Sequence, residues 1–259
     1  MKKSLLVRIF GFPATLIHGD SLVLDRWRWI CRRLPVTVNG ETLLDVGCGS
    51  GAFTIGAAKR GYSSLGLSWD ERNQAVASER AVMCATTDAN FSIQDVRELE
   101  FRQDLQGCYD VVLSCENIEH VLDDRKLMKS MAACLKPGGH LLLTTPNYYY
   151  RAITKDDNGP FSIEETGWHV RRGYTSAMLR ELVDSSGLIV NEISFCSGFF
   201  SQKITWLYRV FCKASPLWGW VAIFALRLLP PLLDDVIGRF FRWPGYSICL
   251  VAYKPRFDK

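Results

Sequence analysis

The chemistry-bearing residues of this chain gather in two short stretches. In Cys115-Glu116-Asn117-Ile118-Glu119-His120, the side chains of Glu116, Glu119 and His120 stand at i, i+3 and i+4. On a helical turn that spacing puts all three on one face. Two carboxylates and an imidazole so arranged suit a divalent cation: Mg²⁺, Mn²⁺ or Zn²⁺. His169, in Gly167-Trp168-His169-Val170-Arg171-Arg172, offers a fourth ligand or a general base for a hydroxyl, because an unperturbed imidazole titrates near neutral pH. The alternative is structural: Glu119 and His120 order a loop, His120 caps a helix, and His169 is a hydrogen-bonded loop histidine. Arg171 and Arg172 are either a solvated face or contacts for an anionic head group. The second stretch is Leu43-Leu44-Asp45-Val46-Gly47-Cys48-Gly49-Ser50-Gly51. Its glycines let the backbone approach a ligand, and a following helix N-terminus would offer free amides. A dinucleotide loop would read G-x-G-x-x-G with an acidic residue about twenty positions on, and the spacing here differs.

These residues need a scaffold, and the pattern predicts one by β-α alternation. Short apolar strands are expected at Thr42–Val46, Ser64–Ser68, Asn90–Gln94, Tyr109–Ser114 and His140–Thr144. Helices are expected between them at Ala52–Lys59, Glu71–Cys84 and Asp123–Leu135, the last stopped by Lys136-Pro137-Gly138-Gly139. Such alternation implies parallel strands with helices on both faces. An apolar entry segment (1–20) and a helix from Ser21 to Leu34, capped by Asp20 or Ser21, precede it. A helix at Ser176–Ser186 and strands at Leu188–Phe195 and Tyr246–Tyr253 follow. The expected organisation is an N-terminal helical cap (1–40), a core (41–195), an insertion (196–245), and a last strand with its tail (246–259).

Composition bounds the partners. The 259 residues are 48% hydrophobic and 22% charged, enough for a sizeable α/β core. A net charge of +4 permits an anionic membrane surface without demanding nucleic acid. Nine scattered cysteines, an odd number without a CxxC pair, point to a reducing compartment, the cytoplasm. Arg8 and Pro13 interrupt the apolar run after Met1-Lys2-Lys3 and no small-residue cleavage site follows, so no signal peptide is expected. The insertion differs in character. It mixes Trp206, Trp218, Trp220 and Trp243 with Leu, Phe and spaced basic residues. It is either a helical lid or a surface for a membrane interface or a greasy substrate. No apolar run is long enough for a spanning helix.

The string LLDVGCGSG resembles the first motif of class I S-adenosylmethionine (SAM) methyltransferases, a Rossmann-like α/β fold whose sheet is mostly parallel with its last strand antiparallel. The resemblance implies SAM as cofactor. Gly47, Gly49 and Gly51, with Cys48 between them, would lie under its methionine part, and Asp45 would order the loop and the amino group. The second strand of that family usually ends in an acid that holds the ribose; here Gly66-Leu67-Ser68-Trp69-Asp70 puts Ser68 there. Ser68 would bond one hydroxyl, Asp70 or Asn73 the rest, and Trp69 would pack along the adenosine; Asp70 is otherwise a helix cap. Ser92-Ile93-Gln94-Asp95-Val96 resembles the third-strand motif, with Asp95 accepting from the adenine amino group and Val96 packing on the ring, unless Asp95 is an exposed turn residue. Tyr109–Val121 resembles the fourth, which puts Cys115 and Glu116 beside the cofactor. Leu135–His140, followed by Thr144–Asn147, resembles the turn and strand that come next. The E-x-x-E-H pattern with a later histidine resembles the O-methyltransferases of ubiquinone biosynthesis and is similar to small-RNA 2′-O-methyltransferases. In the former these residues are linked to a divalent metal and a catechol-like hydroxyl. The reading is therefore methylation of a hydroxyl on a small, hydrophobic or lipid-linked acceptor, at the inner face of a membrane, with Glu116, His120 and His169 catalytic and Glu116, Glu119 and His120 as metal ligands. The alternatives are a soluble metabolite or sugar hydroxyl as acceptor, a non-catalytic SAM-binding module, or an RNA methyltransferase.

Overall fold

Short apolar runs, continuously buried in the central strands, build one seven-stranded sheet. The computed structural model describes residues 5–17, 22–223 and 225–256; the cap expected at Asp20 or Ser21 and the Met1-Lys2-Lys3 start lie outside the described residues. The strands are Thr42–Val46 (β1), Ser63–Ser68 (β2), Ala89–Ile93 (β3), Tyr109–Cys115 (β4), Leu135–Pro146 (β5), Ile189–Cys196 (β6) and Ser247–Tyr253 (β7). Their spatial order is β3-β2-β1-β4-β5-β7-β6. β1 pairs in parallel with both β2 and β4, so the strand order reverses there, and β7 runs antiparallel to β5 and β6. Ligands of open α/β sheets bind outside the carboxyl ends of the strands at that reversal.

Both faces are covered. On one, Leu44, Val46 and Val112 meet Leu127, Met128 and Met131 of the helix Asp124–Cys134 (α6) and Leu179, Leu182 and Val183 of Ser176–Ser185 (α7). On the other, Leu43, Val111 and Leu113 meet Trp27, Trp29 and Ile30 of Leu22–Cys31 (α3) and Ala52 and Ala57 of Ala52–Ala58 (α4). The helix Glu71–Met83 (α5) covers the β2–β3 side.

The entry segment forms two short helices, Leu5–Phe10 and Phe12–Ile17. The fifth strand also begins earlier than expected. Lys136-Pro137-Gly138-Gly139 does not merely stop α6, because the C-terminal chain pairs with it: Gly138 N–H donates to the Lys254 carbonyl and Lys254 N–H to the Gly139 carbonyl, at 2.8 and 2.9 Å. Among the described residues between β6 and β7 stand the α-helices Phe199–Cys212 (α8), Pro216–Ile223 (α9) and Pro230–Phe241 (α10), with a 3-10 turn at Leu226–Leu228. Asp234 on α10 takes the N–H groups of Gly198, Phe200 and Ser201 at 3.1, 2.6 and 3.2 Å. It thereby satisfies the orphan donors at the start of α8. Among the described residues, no helix is long and apolar enough to cross a membrane.

Candidate active site

The loop after β1 is shaped by φ angles that L side chains avoid. Gly47 has φ +87°, and a Cβ there would meet the Asn117 side chain at 2.4 Å. Gly49 is also left-handed, with φ +51°, but a Cβ on it would meet nothing within 4 Å, so it borders open space. The loop is fixed by its own backbone: Gly47 and Cys48 N–H both donate to the Leu67 carbonyl, at 3.0 and 2.8 Å. Beneath it, Asp45 accepts from Thr54 Oγ1 at 2.7 Å through one oxygen. Its other oxygen, like Asn117 Nδ2, is buried with no hydrogen-bond partner among the described residues. Burial pushes the Asp45 carboxyl up to about 7. An unpaired acceptor and an unpaired donor beside an open glycine cradle fit the ammonium and carboxylate of an amino-acid ligand, such as the methionine end of SAM. Each atom otherwise carries the cost of an unmade hydrogen bond.

Around the ends of β2 and β3 the side chains are more committed than the sequence suggests. Ser68 is buried and its Oγ accepts from Asp70 N–H at 3.4 Å. Asp70 caps α5, accepting from the N–H groups of Arg72 and Asn73 at 2.9 and 3.3 Å. Of the two readings of Asp70, the cap is the one its hydrogen bonds make. Trp69 is 61% exposed, with its ring edge 3.7 Å from the Cβ position of Gly167. Asp95 accepts from Arg97 through both oxygens, and the guanidinium beside it holds its carboxyl below the usual range. Arg97 also pairs with Glu165 at 2.9 Å, tying the segment before His169 to the cofactor end of the sheet. Val96 is buried in the larger core cluster. Cys115 ends β4, where burial pushes its thiol well up. Sequence reasoning missed Gln74, which looks like an ordinary helix glutamine. It is buried under the loop, with Nε2 2.8 Å from the Ser92 carbonyl.

The expected trio of Glu116, Glu119 and His120 is not the group that converges. Glu116 adopts φ +47°, and the residues after it, Ile118–His120, form a 3-10 turn, so i, i+3 and i+4 do not share a helical face. Glu116 instead pairs with Arg26 at 3.0 Å and accepts from Thr144 Oγ1 and Ser247 Oγ at 3.1 and 2.9 Å. Its place is taken by His169. One ligand atom each from Glu119, His120 and His169 lie within 4.8 Å of one another. Glu119 Oε1 stands 3.8 Å from His120 Nε2 and 4.0 Å from His169 Nε2, and the two rings meet edge to face at 4.6 Å. Glu119 is fully buried; Thr145 Oγ1 donates to its Oε2 at 3.0 Å, while Oε1 has no hydrogen-bond partner among the described residues. Desolvation pushes the Glu119 carboxyl up to about 8, and burial holds His120 below its usual value and His169 down to about 4. Two neutral imidazoles and a buried carboxyl oxygen without a partner are a donor set that fits a divalent cation.

Arg171 and Arg172 do not await a head group. Arg171 pairs with Asp124 and donates to the Val121 and Leu122 carbonyls at 2.8 Å. Arg172 donates to the Tyr148 and Tyr150 carbonyls, at 2.9 and 3.1 Å. Beside His169 opens a cavity of about 1060 Å³, walled by Tyr150, Phe161, Trp168 and Tyr246, by Trp206, Arg209 and Val210 of α8, and by Lys213, which caps that helix. These last four recur at i, i+3, i+4 and i+7, one helix face.

A parallel sheet with one antiparallel strand, a left-handed glycine cradle after β1, and an acid beneath it define the class I SAM-dependent methyltransferases. Residues 24–192 match the family model described as a methyltransferase domain, and the chain belongs to that family. The ubiquinone biosynthesis O-methyltransferase of Coxiella burnetii (strain RSA 493 / Nine Mile phase I) is 34% identical over 117 residues, 45% of this chain and 48% of that one. Its counterpart in Acinetobacter baumannii (strain AYE) is 34% identical over 122 residues, 47% and 50%. The chain thus spans about half the length of the curated relatives it matches. Among solved structures, phosphoethanolamine N-methyltransferase 2 of Haemonchus contortus, in complex with SAM, aligns with a TM-score of 0.65 at 18% identity, covering 95% of this chain and 57% of that one. A SAM-dependent methyltransferase from Mesorhizobium loti aligns at 0.57 and 19% identity, covering 92% and 100%. These likenesses carry the fold; the glycine cradle and the family match carry the cofactor, SAM.

Proposed function

We propose that this methyltransferase acts on a hydroxyl of a small, hydrophobic or lipid-linked acceptor seated in the cavity beside His169. The observation that carries this reading is the convergence of Glu119 and His120 on His169, which itself lines an aromatic cleft. SAM supplies a methyl group on a sulfonium, already activated toward attack. The protein's part is to align the acceptor and exclude water. Gly47, Cys48, Gly49 and Gly51 would carry the methionine portion, Asp45 its ammonium and Asn117 its carboxylate. Ser68, Trp69 and Asn73 line the nucleoside side in this reading.

A hydroxyl must lose its proton as the methyl arrives. His169, held to about 4, is by itself a weak base near neutral pH. A divalent cation on Glu119, His120 and His169 would supply the Lewis acidity that lowers the pKa of a bound hydroxyl. His120 and His169 then act as ligands, and Glu116, committed to Arg26, anchors the turn without ligating. The identity and partial coverage of the ubiquinone biosynthesis relatives support oxygen as the acceptor atom.

The same insertion supports a membrane contact. Trp206, Phe211, Leu217, Trp218, Phe240 and Phe241 are exposed on α8–α10, with Lys203, Lys213 and Arg242 among them. This mixture suits an interface carrying anionic lipid at the inner face of a membrane.

The test is a screen for S-adenosylhomocysteine formation with phenolic, quinol-precursor, lipid and sugar acceptors, with and without chelator. Turnover on a phenolic or quinol-type acceptor that chelation abolishes and Mn²⁺ or Zn²⁺ restores is the expected result. Turnover confined to an amine or carbon acceptor, or unaffected by chelation, would overturn the hydroxyl or the metal part respectively.

A further inference from the structure

The strongest unassigned device is a charge brought beside the site from α3. Glu116 is a non-glycine residue in the left-handed region, a conformation that persists only where the surroundings hold it. Three separate segments do so. Its N–H donates to the Thr144 carbonyl of β5 at 2.8 Å. One carboxylate oxygen takes the hydroxyls of Thr144 and of Ser247 at the start of β7, and the other meets Arg26 of α3 at 3.0 Å. Arg26 Nε in turn donates to Ser247 Oγ at 3.3 Å, closing a ring of contacts between α3, β4 and β7. Both side chains are largely buried, 10% and 16% exposed.

Immediately after this pivot the chain turns through Ile118–His120, which carries two of the three converging groups. The direction in which Glu119 and His120 leave the sheet therefore depends on how Glu116 is held.

We propose that Arg26 is a positioning residue of the methyl-acceptor site: it holds Glu116 in its left-handed pivot and so aims Glu119 and His120 at His169. This rests on the reading that those three groups serve the acceptor. Arg26 acts through Glu116, with which it pairs at 3.0 Å. A buried pair that loses one member leaves the other charge uncompensated. The cradle itself hangs from the Leu67 carbonyl and should be indifferent to the loss.

The experiment compares wild type, R26Q, R26K, E116Q and R26Q/E116Q. Mn²⁺ and SAM affinities are measured separately by calorimetry, alongside kcat and KM for the acceptor found in the screen. R26Q is expected to lose at least about tenfold in Mn²⁺ affinity and in kcat, because the buried partner is left unpaired, while SAM affinity stays within about threefold. R26K should recover part of the loss, and R26Q/E116Q should be no worse than R26Q alone, since coupled residues are not additive. If R26Q melts too low to assay, E116Q, which removes the charge from the other end, must show the same split. Equal losses in SAM and Mn²⁺ affinity, or additive effects of the two substitutions, would overturn the positioning role. A wild-type protein that binds no Mn²⁺ and methylates no hydroxyl overturns the acceptor reading and this inference with it. A competent wild type with an indifferent R26Q overturns the inference alone.

Discussion

Substituting alanine at Gly49 separates backbone strain from loss of ligand space. Gly49 and Gly40 are both left-handed, at φ +51° and +69°, and a Cβ on either meets nothing within 4 Å. Each alanine therefore stores only the left-handed penalty, roughly 1–2 kcal/mol. In a chain of this size each kcal/mol lowers Tm by about 2–4 °C, so both variants should melt about 2–8 °C below wild type. Their ligand behaviour should part. The space over Gly49 is the cradle, whereas Gly40 lies at the opposite end of β1, before Thr42. G49A is expected to bind SAM at least about tenfold more weakly, a cost of about 1.4 kcal/mol, and G40A with wild-type affinity. Calorimetric titration with SAM beside thermal unfolding reads both quantities on the same sample. G49A binding SAM as tightly as G40A, at equal loss of Tm, would refute the assignment of the open space to the cofactor.

Three other expectations follow from the same coordinates. Asp45 holds a proton in the folded protein up to about 7 that the unfolded chain releases near 3.8. Its contribution to stability is thus present below pH 4 and lost as pH rises through 7. D45N, which buries no charge, should resist heat or urea better than the ligand-free wild type at pH 8, by up to roughly 4 kcal/mol, yet bind SAM more weakly. Trp27 stacks on Phe53 and meets Phe12 edge-on, at 6.1 and 5.4 Å. W27A should cost about 3–5 kcal/mol in a denaturant titration, as large aromatic deletions in cores do. Phe240 and Phe241 are 80% and 62% exposed. The double F240S/F241S should float less well with anionic vesicles at unchanged SAM affinity; undiminished flotation would make the insertion a lid only.

Much of the architecture is local and legible in the sequence. Thr42–Val46 is a strand because four of its five residues are apolar or β-branched and the run ends at glycines that turn the chain. Asp70, Asp123 and Thr175 cap the helices that follow them because each is a short acceptor beside free N–H groups. The cradle is legible for the same reason: positive φ at Gly47, Gly49 and Gly51 is a property of three residues and their neighbours. The Lys136–Gly139 segment was less so, since it reads as a helix stop and becomes strand only when the tail at Lys254 arrives to pair with it.

What the residues between Glu116 and His120 do was settled elsewhere in the chain. Their spacing has chemical meaning only if the backbone between them is an α-helix. The left-handed pivot at Glu116 breaks that condition, and contacts from distant segments hold the pivot. Arg26 lies far upstream and Ser247 far downstream; they draw Glu116 out of the cluster, and His169 enters from a loop anchored to Glu165 and Arg97. A sequence lists which carboxylates and imidazoles are available. Which of them meet is decided by tertiary packing, because a buried charge settles beside whichever countercharge the fold brings within reach.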